Sequence, residues 1–364
     1  MPRASFAVGR ILLDLIAFKS MKKKEQLSRR TEFVCIPQNP SSVAHRPLGQ
    51  IQVEDIMHEI PLWVNSTPPS WSHCEFDKGF LIWGRHSTEI EVWRRRKDQL
   101  LDPLPMCAPD ELQLVSEPLA PAAELSDEEL LTALRADESD PDDNVDRPRS
   151  RLRDLEYRGQ FTPFCVLTPP KTTSASRFVY PELVVVARDA RDAYIFNVPN
   201  AKLVKTIMLE ICAQEVFVEF TVRYVDHSPT HVFVCTAFSI AAYCKSDGKC
   251  DMWLTRDKLS PNRIYKAVTR PGEGICDLNR LEEMDSAEDA AVVGEEFFAV
   301  HVSPCGRIWV FIREHKYLYV CTGGFESGEE PLNMTRIDLP GRAFYYLAFD
   351  GKNIAVAGVC TFCG

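Results

Sequence analysis

The sequence predicts an all-β protein, a β-propeller assembled from repeated four-stranded units. Three observations support this: apolar and polar residues alternate with a period of two, short turn motifs separate the apolar runs, and the whole pattern recurs along the chain. The clearest unit is residues 217–254. Its first strand holds Phe220, Val222 and Tyr224. Three further strands are predicted at 232–235, 239–243 and 250–254, with turns at 227–230 and 246–249.

Units of the same kind occur at 79–101 and 182–209 and begin again at 297 and 344. Five apolar positions are equivalent when these units are aligned: Ile82, Val185, Val234, Val310 and Val356. The two shortest intervals, 49 and 46 residues, are close to the roughly 40–45 residues of a four-stranded propeller blade. Residues 272–294 are predicted to be a long acidic loop, with a degenerate blade as the alternative.

The predicted domain organisation has two parts. Residues 1–70 form a poorly defined N-terminal segment with a basic helix, for which a loosely docked helix, a nuclear-import patch and a mitochondrial transit peptide remain alternatives. Residues 71–364 form the propeller, interrupted at about 105–150 by an acidic insertion that is partly helical and partly disordered. Ser126 and Glu129 make a capping box at the start of the insertion helix.

Charge and cysteine usage limit the classes of partner. The net charge is -10, and residues 124–146 hold ten acids against one arginine. An acidic chain without a continuous basic surface argues against nucleic acid as the main partner. No apolar run approaches the roughly 18–20 residues of a membrane span. The 13 cysteines are scattered, several within apolar runs, and we therefore expect reduced thiols and a location in the cytoplasm or nucleus. The protein is also expected to be a monomer.

Several residues resemble the WD-repeat family, in which a strand ends in Trp-Asp. The Trp and Asp places are filled here by three pairs: Phe196-Asn197, Trp93-Arg94 and Tyr243-Cys244. Residues 303–307 (SPCGR) and 349–353 (FDGKN) resemble the turn between the first two strands of a WD blade. No unit keeps the Asp of Trp-Asp, so the hydrogen-bond network that stiffens ordinary WD blades is weakened.

Longer segments resemble the divergent WD-like propellers of basidiomycete F-box proteins, and this resemblance covers about residues 71–364. It is carried by RGQFTPFCVLTPP, RFVYPELVVVARD and VHVSPCGR. The resemblance implies a WD40-like β-propeller of about six or seven four-stranded blades, complete or incomplete. It also implies substrate recognition in an F-box-type ubiquitin ligase, although residues 1–70 contain no F-box pattern.

The predicted function is therefore a non-enzymatic scaffold that binds a protein partner, with ubiquitin-ligase components as the implied setting. Two alternatives stay open: a degenerate structural paralogue without a specific partner, and a propeller-type hydrolase or lyase with an axial site. The predicted partner contacts are the basic cluster and the apolar face of the insertion helix: Arg94, Arg95, Arg96, Leu130, Leu131 and Leu134.

No catalytic residue, cofactor or metal is predicted. Cys360 and Cys363 have the spacing of half a zinc site, but structural zinc needs four ligands. His227 and His231 flank a turn and are interpreted as a hydrogen-bonded strand–turn pair, with a metal shared by the two imidazoles as the alternative. Cys244 and Cys250 lie across a short hairpin, but a disulfide is not expected in a reducing compartment.

Overall fold

The computed structural model describes residues 51–55, 60–65, 74–86, 88–104, 116–118, 161–210, 222–255, 258–269, 276–284, 296–313, 316–323, 333–339 and 344–358. These residues divide between two compact units. The first unit contains the described residues up to 168 together with 198–202, and the second contains residues 169–197 and the described residues from 203 onward.

The first unit consists of two antiparallel sheets and one short helix. In chain order its elements are β1 (Ile51–Asp55), β2 (Ile60–Asn65), β3 (Cys74–Asp77), β4 (Phe80–His86), β5 (Glu89–Arg95), α1 (Arg96–Leu101), β6 (Ser116–Pro118) and β7 (Phe161–Leu167). The strand orders are β1-β2-β6 and β3-β4-β5-β7. Lys78 and Gly79 both have positive φ at the β3–β4 turn, the geometry of a tight two-residue hairpin.

Aromatic side chains form the core of this unit. The Trp93 ring stacks on Trp83 at 5.4 Å and meets Trp63 edge-on at 5.3 Å. Phe161 lies against Trp63 at 5.6 Å. These side chains are almost fully buried, and offset or edge-to-face aromatic pairs stabilise a core beyond the area that they bury.

The second unit begins with two four-stranded antiparallel meanders. The first meander is β8 (Thr173–Val179), β9 (Glu182–Ala187), β10 (Asp192–Asn197) and β11 (Lys202–Met208). The second meander is β12 (Tyr224–His227), β13 (His231–Cys235), β14 (Ser239–Cys244) and β15 (Cys250–Thr255). Each sheet keeps the order of its strands in the sequence, which is the connectivity that short hairpin turns impose.

Two hairpins and one further meander complete the second unit. The first hairpin is β16 (Arg263–Thr269) and β17 (Cys276–Glu283). A four-stranded antiparallel meander follows: β18 (Phe297–Val302), β19 (Ile308–Arg313), β20 (Tyr317–Thr322) and β21 (Asn333–Asp338). The second hairpin is β22 (Phe344–Phe349) and β23 (Ile354–Gly358). The first hairpin extends the β18–β21 meander, because β16 pairs in parallel with β21.

The sheets of the second unit pack face to face. Along β13, Val232 and Val234 pack with the β8–β11 sheet, whereas Phe233 and Cys235 pack with the β18–β21 sheet. Successive side chains on a strand point to opposite faces, so the continuous apolar run of β13 buries both faces of its sheet. The all-β prediction, with four-stranded antiparallel units of WD40-like topology, is confirmed.

The predicted WD positions lie where the resemblance implies. Trp93, Phe196 and Tyr243 each lie near the end of the third strand of a four-stranded sheet, and each is buried. In the turn at 303–307, the Gly306 amide donates to Ser303 O at 2.8 Å and Gly306 has φ +74°. The turn at 349–353 is fixed by Asp350 Oδ1, which accepts from the Asn353 amide at 2.6 Å.

Two local predictions were wrong. The segment 272–294 is not simply a loop, because Cys276–Glu283 forms β17 against β16. The first strand of the 217–254 unit runs from Tyr224 to His227, further along the chain than the alternation suggested, and Phe220 lies outside the described residues.

Candidate functional site

A groove of about 430 Å³ lies between the β8–β11 and β12–β15 sheets of the second unit. Its walls mix apolar and charged side chains: Glu182, Ile195, Val204, Lys205, Thr230 and Lys245. Strands β9, β10 and β11 supply one wall, and the turns before β13 and after β14 supply the other. A concave site with a few convergent polar groups is the usual form of a binding site.

The groove is lined by a buried lysine whose ammonium group has two partners. Lys245 Nζ donates to Glu182 Oε2 and lies 3.1 Å from His227 Nδ1. A charged lysine has only donors, so His227 Nδ1 accepts and the ring proton is on Nε2. Burial lowers the pKa of Lys245, and the Glu182 carboxylate opposes that effect. Burial and the nearby Lys245 lower the pKa of His227 from 6.5 to about 4, so the imidazole is neutral at physiological pH.

A second lysine holds the two walls of the groove together. Lys205 Nζ on β11 donates to the carbonyl oxygen of Lys245 and, at 2.6 Å, to that of Ser246. Hydrogen bonds from a charged donor are stronger than those between neutral groups. Lys205 therefore fixes the 245–246 turn of one sheet to the outer strand of the other.

Strand β11 is an open edge of its sheet among the described residues, with three large apolar side chains in solvent. Leu203 is 42% exposed, Val204 is 56% exposed and Met208 is 64% exposed. The fourth strand of the β18–β21 meander differs, because β16 covers the edge of β21. Exposed edges with apolar side chains are templates for pairing with another strand. We call Lys202–Met208 the β11 edge, since no other strand in the described part of the chain pairs with its outer side.

A buried ionic cluster joins the first strands of three successive sheets in the second unit. Asp226 on β12 pairs with Arg177 Nε on β8 at 3.2 Å and with His301 Nδ1 on β18 at 3.3 Å. The Asp226 carboxylate also accepts from the main-chain amides of His227 at 2.7 Å and Val302 at 2.9 Å. We call Arg177, Asp226 and His301 the Asp226 cluster.

Electrostatics keep Asp226 ionised although it is buried. Burial raises the pKa of this carboxyl group, but the Arg177 guanidinium and the contact with His301 outweigh burial, and the pKa falls from 3.8 to about 2. The side chains of Asp226 and His301 are only 2% and 3% exposed. A substrate cannot reach groups that are sealed in this way, so the cluster connects strands and does not form an open acid–base site.

A third group of polar side chains spans β13, β14 and β15. His231, Cys244 and Asp251 present one nitrogen, one sulfur and one carboxylate oxygen that all lie within 4.8 Å of one another. His231 Nε2 is 2.9 Å from Asp251 Oδ2, and His231 Nδ1 is 2.9 Å from Thr230 Oγ1. All three residues are half-buried. We call them the His231 cluster.

The predicted basic contact is largely occupied within the first unit. Arg94 is 3% exposed, lies over the Phe80 ring at 5.2 Å, and donates to Gln99, to the Asp98 carbonyl and to Asp102. Arg95 pairs with Asp98 at 2.7 Å. These two arginines hold α1 against β5, and a role of Arg94–Arg96 in partner binding stays a prediction. The predicted contacts Leu130, Leu131 and Leu134 lie outside the described residues.

The predicted His227–His231 pair does not form. His227 contacts Lys245 in the groove, whereas His231 contacts Asp251 on another strand. Cys244 and Cys250 are both free thiols, and Cys360 and Cys363 lie outside the described residues. The sequence patterns singled out His231 and Cys244 with other partners and did not connect either with Asp251, because the three residues come together only through the pairing of three strands.

No protein-family model matches the chain, and no curated protein matches it by sequence. Solved structures do match. Hsv2 from Kluyveromyces lactis has a TM-score of 0.37 and 8% identity over 75% of this chain and 55% of that chain. The C-terminal WD40 domain of Sif2 has a TM-score of 0.41 and 10% identity over 85% of this chain and 61% of that chain.

A chain in the mitotic checkpoint complex matches with a TM-score of 0.41 and 8% identity over 85% of this chain and 67% of that chain. The chain spans little more than half the length of three Hsv2 structures that it matches and 71% of a fourth. The fold assignment rests on the sheet topology and face-to-face packing of the chain itself. Within the described part of the chain, no helix has the length and apolar character needed to cross a membrane.

Proposed function

We propose that this protein is a non-enzymatic scaffold that binds a partner protein along the β11 edge. One contrast within the second unit carries the proposal: the β21 edge is extended by a parallel strand of the same chain, whereas the β11 edge exposes Leu203, Val204 and Met208. Adding a strand to an open sheet edge is a common way to bind an extended peptide, with main-chain hydrogen bonds supplying affinity.

The β11 edge defines the chemistry of the segment that it would bind. Strand β11 contains two lysines and no acidic residue, and the adjoining groove contains Lys205 and Lys245. Val204 and Met208 are four positions apart on a strand and therefore lie on the same face. An extended segment that alternates apolar and acidic side chains is complementary in both shape and charge.

The absence of catalysis is part of the proposal. Acid–base chemistry needs groups that touch the substrate, and three titratable groups of the second unit are sealed: the side chains of Asp226, His227 and His301 are all 3% exposed or less. We also propose an intracellular location, in the cytoplasm or nucleus. Seven cysteines within the part of the chain that the structure describes are free thiols, and they support that location.

The test compares three forms of the full chain in quantitative affinity purification. They are the wild type, a V204K/M208K variant, and an L281K/M284K control that changes two other exposed apolar side chains, at 38% and 37% exposure. Exposed substitutions of this kind change stability by about 0.5 kcal/mol or less, and circular dichroism verifies folding. We expect partners of the wild type and the control to be lost from V204K/M208K.

The same partner set for all three forms would overturn the β11 edge as the binding site. No specific partner with the wild type would favour the degenerate paralogue instead.

The ubiquitin-ligase setting, which derives from the F-box resemblance, is tested by the same samples. Linker proteins of such ligases would be present among the wild-type partners if the protein recognises ligase substrates, and their absence would remove that setting.

A further inference from the structure

The His231 cluster joins three neighbouring strands through side chains of different chemistry. His231 is the first residue of β13, and Cys244, its cross-strand partner, is the last residue of β14. Asp251 lies near the start of β15. The β14–β15 register shifts between Ala242 and Tyr243. The ligand atoms of all three residues then lie within 4.8 Å of one another.

The donor set is that of a zinc-type cation. One imidazole nitrogen, one thiolate sulfur and one carboxylate oxygen are the protein ligands that Zn²⁺ accepts, at distances of about 2.0–2.3 Å. Harder cations such as Mg²⁺ and Ca²⁺ prefer oxygen ligands alone. Three protein ligands leave a fourth tetrahedral position for water or for a side chain of a partner.

The contacts of His231 suit a metal ligand. Its Nδ1 lies 2.9 Å from Thr230 Oγ1, and a hydrogen bond from Nδ1 to an oxygen is the support that ligating histidines usually have. When the ring proton of His231 is on Nδ1, Nε2 directs a lone pair at Asp251 Oδ2, 2.9 Å away. Two lone pairs at that distance repel each other unless a cation lies between them. A proton or a metal ion satisfies this requirement, and the nearby Cys244 sulfur favours the metal.

Cys244 is a free thiol whose sulfur lies 3.0 Å from Ser246 Oγ. The Ser246 side chain orients the sulfur without closing it off, since Cys244 is only half-buried. Metal binding displaces the thiol proton, and the cost of that displacement falls as pH rises. Cys244 and Thr230 also line the groove, so a bound metal would stiffen the wall that faces the β11 edge.

We propose that His231, Cys244 and Asp251 form a binding site for one zinc-type divalent cation. The site is independent of the β11 edge as a docking surface, because its ligands belong to another sheet. The site fixes the two turns that form one wall of the groove, because it links the start of β13, the end of β14 and the start of β15.

The test uses purified full-length protein treated with a chelator. Calorimetric titration with Zn²⁺ measures stoichiometry and affinity, and Co²⁺ serves as a spectroscopic substitute whose thiolate charge-transfer band reports the sulfur ligand. The variants are C244S, D251N and H231Q. The control is C305S, which removes an exposed thiol from the turn between β18 and β19.

We expect one Zn²⁺ per wild-type chain, unchanged in C305S and at least about tenfold weaker in C244S, D251N and H231Q. The cobalt charge-transfer band should be present in the wild type and C305S and absent from C244S. Wild-type binding no tighter than that of C244S, or a cobalt band that persists in C244S, would overturn the site. C244S and D251N change half-buried side chains, so the test holds even if H231Q does not fold.

Discussion

Asp226 illustrates how a single buried carboxylate organises the second unit. Its two oxygens are shared among a guanidinium, an imidazole and two main-chain amides, which come from β8, β12 and β18. A buried charge is tolerated only when it is paired and hydrogen-bonded, and Asp226 meets both conditions. Arg177 and His301 lie far from Asp226 in the sequence, so pattern analysis of single segments could not find the cluster.

We predict that Asp226→Asn destabilises the protein by about 3 kcal/mol, because removing one partner of a buried ion pair leaves the others uncompensated. Asparagine keeps the shape of the aspartate side chain, so the loss of stability reports the loss of the charge. Urea denaturation followed by circular dichroism measures the free energy of unfolding. Glu296→Gln is the matched control, since Glu296 pairs with Arg223 at 3.0 Å on the surface and should lose less than about 1 kcal/mol. Equal losses would contradict the assigned role of Asp226.

We predict that His227 makes the protein sensitive to mild acid. The unfolded chain takes up the proton below pH 6.5, whereas the folded site resists it until the pKa of about 4. The free energy of unfolding therefore falls as pH falls from about 6.5 to about 4, and the loss over the whole interval is roughly 3 kcal/mol. Asp226, with its pKa of about 2, adds a loss only below pH 3.8.

Denaturation midpoints measured between pH 7 and pH 4 provide the test. His227→Asn keeps an acceptor for Lys245 and removes the titrating group, so its stability should change much less over this interval than that of the wild type. A wild-type stability that is flat between pH 6.5 and pH 4, or parallel curves for the two proteins, would show that His227 is not buried in the neutral form.

At the scale of elements, strands and turns followed from local chemistry. Alternation and turn residues located β13, β14 and the turns at Gly306 and Gly351 because each depends on neighbours in the sequence. The parallel pairing of β16 with β21 depends on residues far apart in the chain, and no local pattern encodes it. The burial of Arg94 could not be predicted from its neighbours in the sequence, because its contacts with Phe80 and Asp102 arise only after β4, β5 and α1 pack.

The third-strand aromatic positions should carry much of the stability of each sheet. We predict that Trp93→Ala costs about 3–5 kcal/mol, as for other large buried aromatic residues, because it removes the contacts with Trp63 and Trp83 and the hydrogen bond to Glu91. Calorimetric melting is the measurement. Trp253→Ala, at a side chain that is 37% exposed, should lower the melting temperature far less. Similar effects of the two substitutions on the melting temperature would contradict the role of Trp93 in the aromatic core.

At the scale of the whole molecule, the acidic stretch 124–146 should be dispensable for folding. The pairing of β5 with β7, for example Val92 with Cys165, lies outside this stretch. We predict that its deletion leaves the circular dichroism spectrum and the melting temperature unchanged, and a clear drop in melting temperature would contradict this.

Affinity purification of the same deletion decides whether Leu130, Leu131 and Leu134 contact a partner, since partner loss from a folded protein would locate a contact there.

We propose that the β11 edge is open in the free protein and is covered when a partner binds. Hydrogen exchange measured by mass spectrometry tests this most directly, because β21 provides an internal reference whose edge is covered by β16. We expect amides of Lys202–Met208 to exchange faster than those of Asn333–Asp338 in the free protein, and to become protected when a partner is added. Equal protection of the two strands in the free protein, or no change at β11 on binding, would contradict the claim.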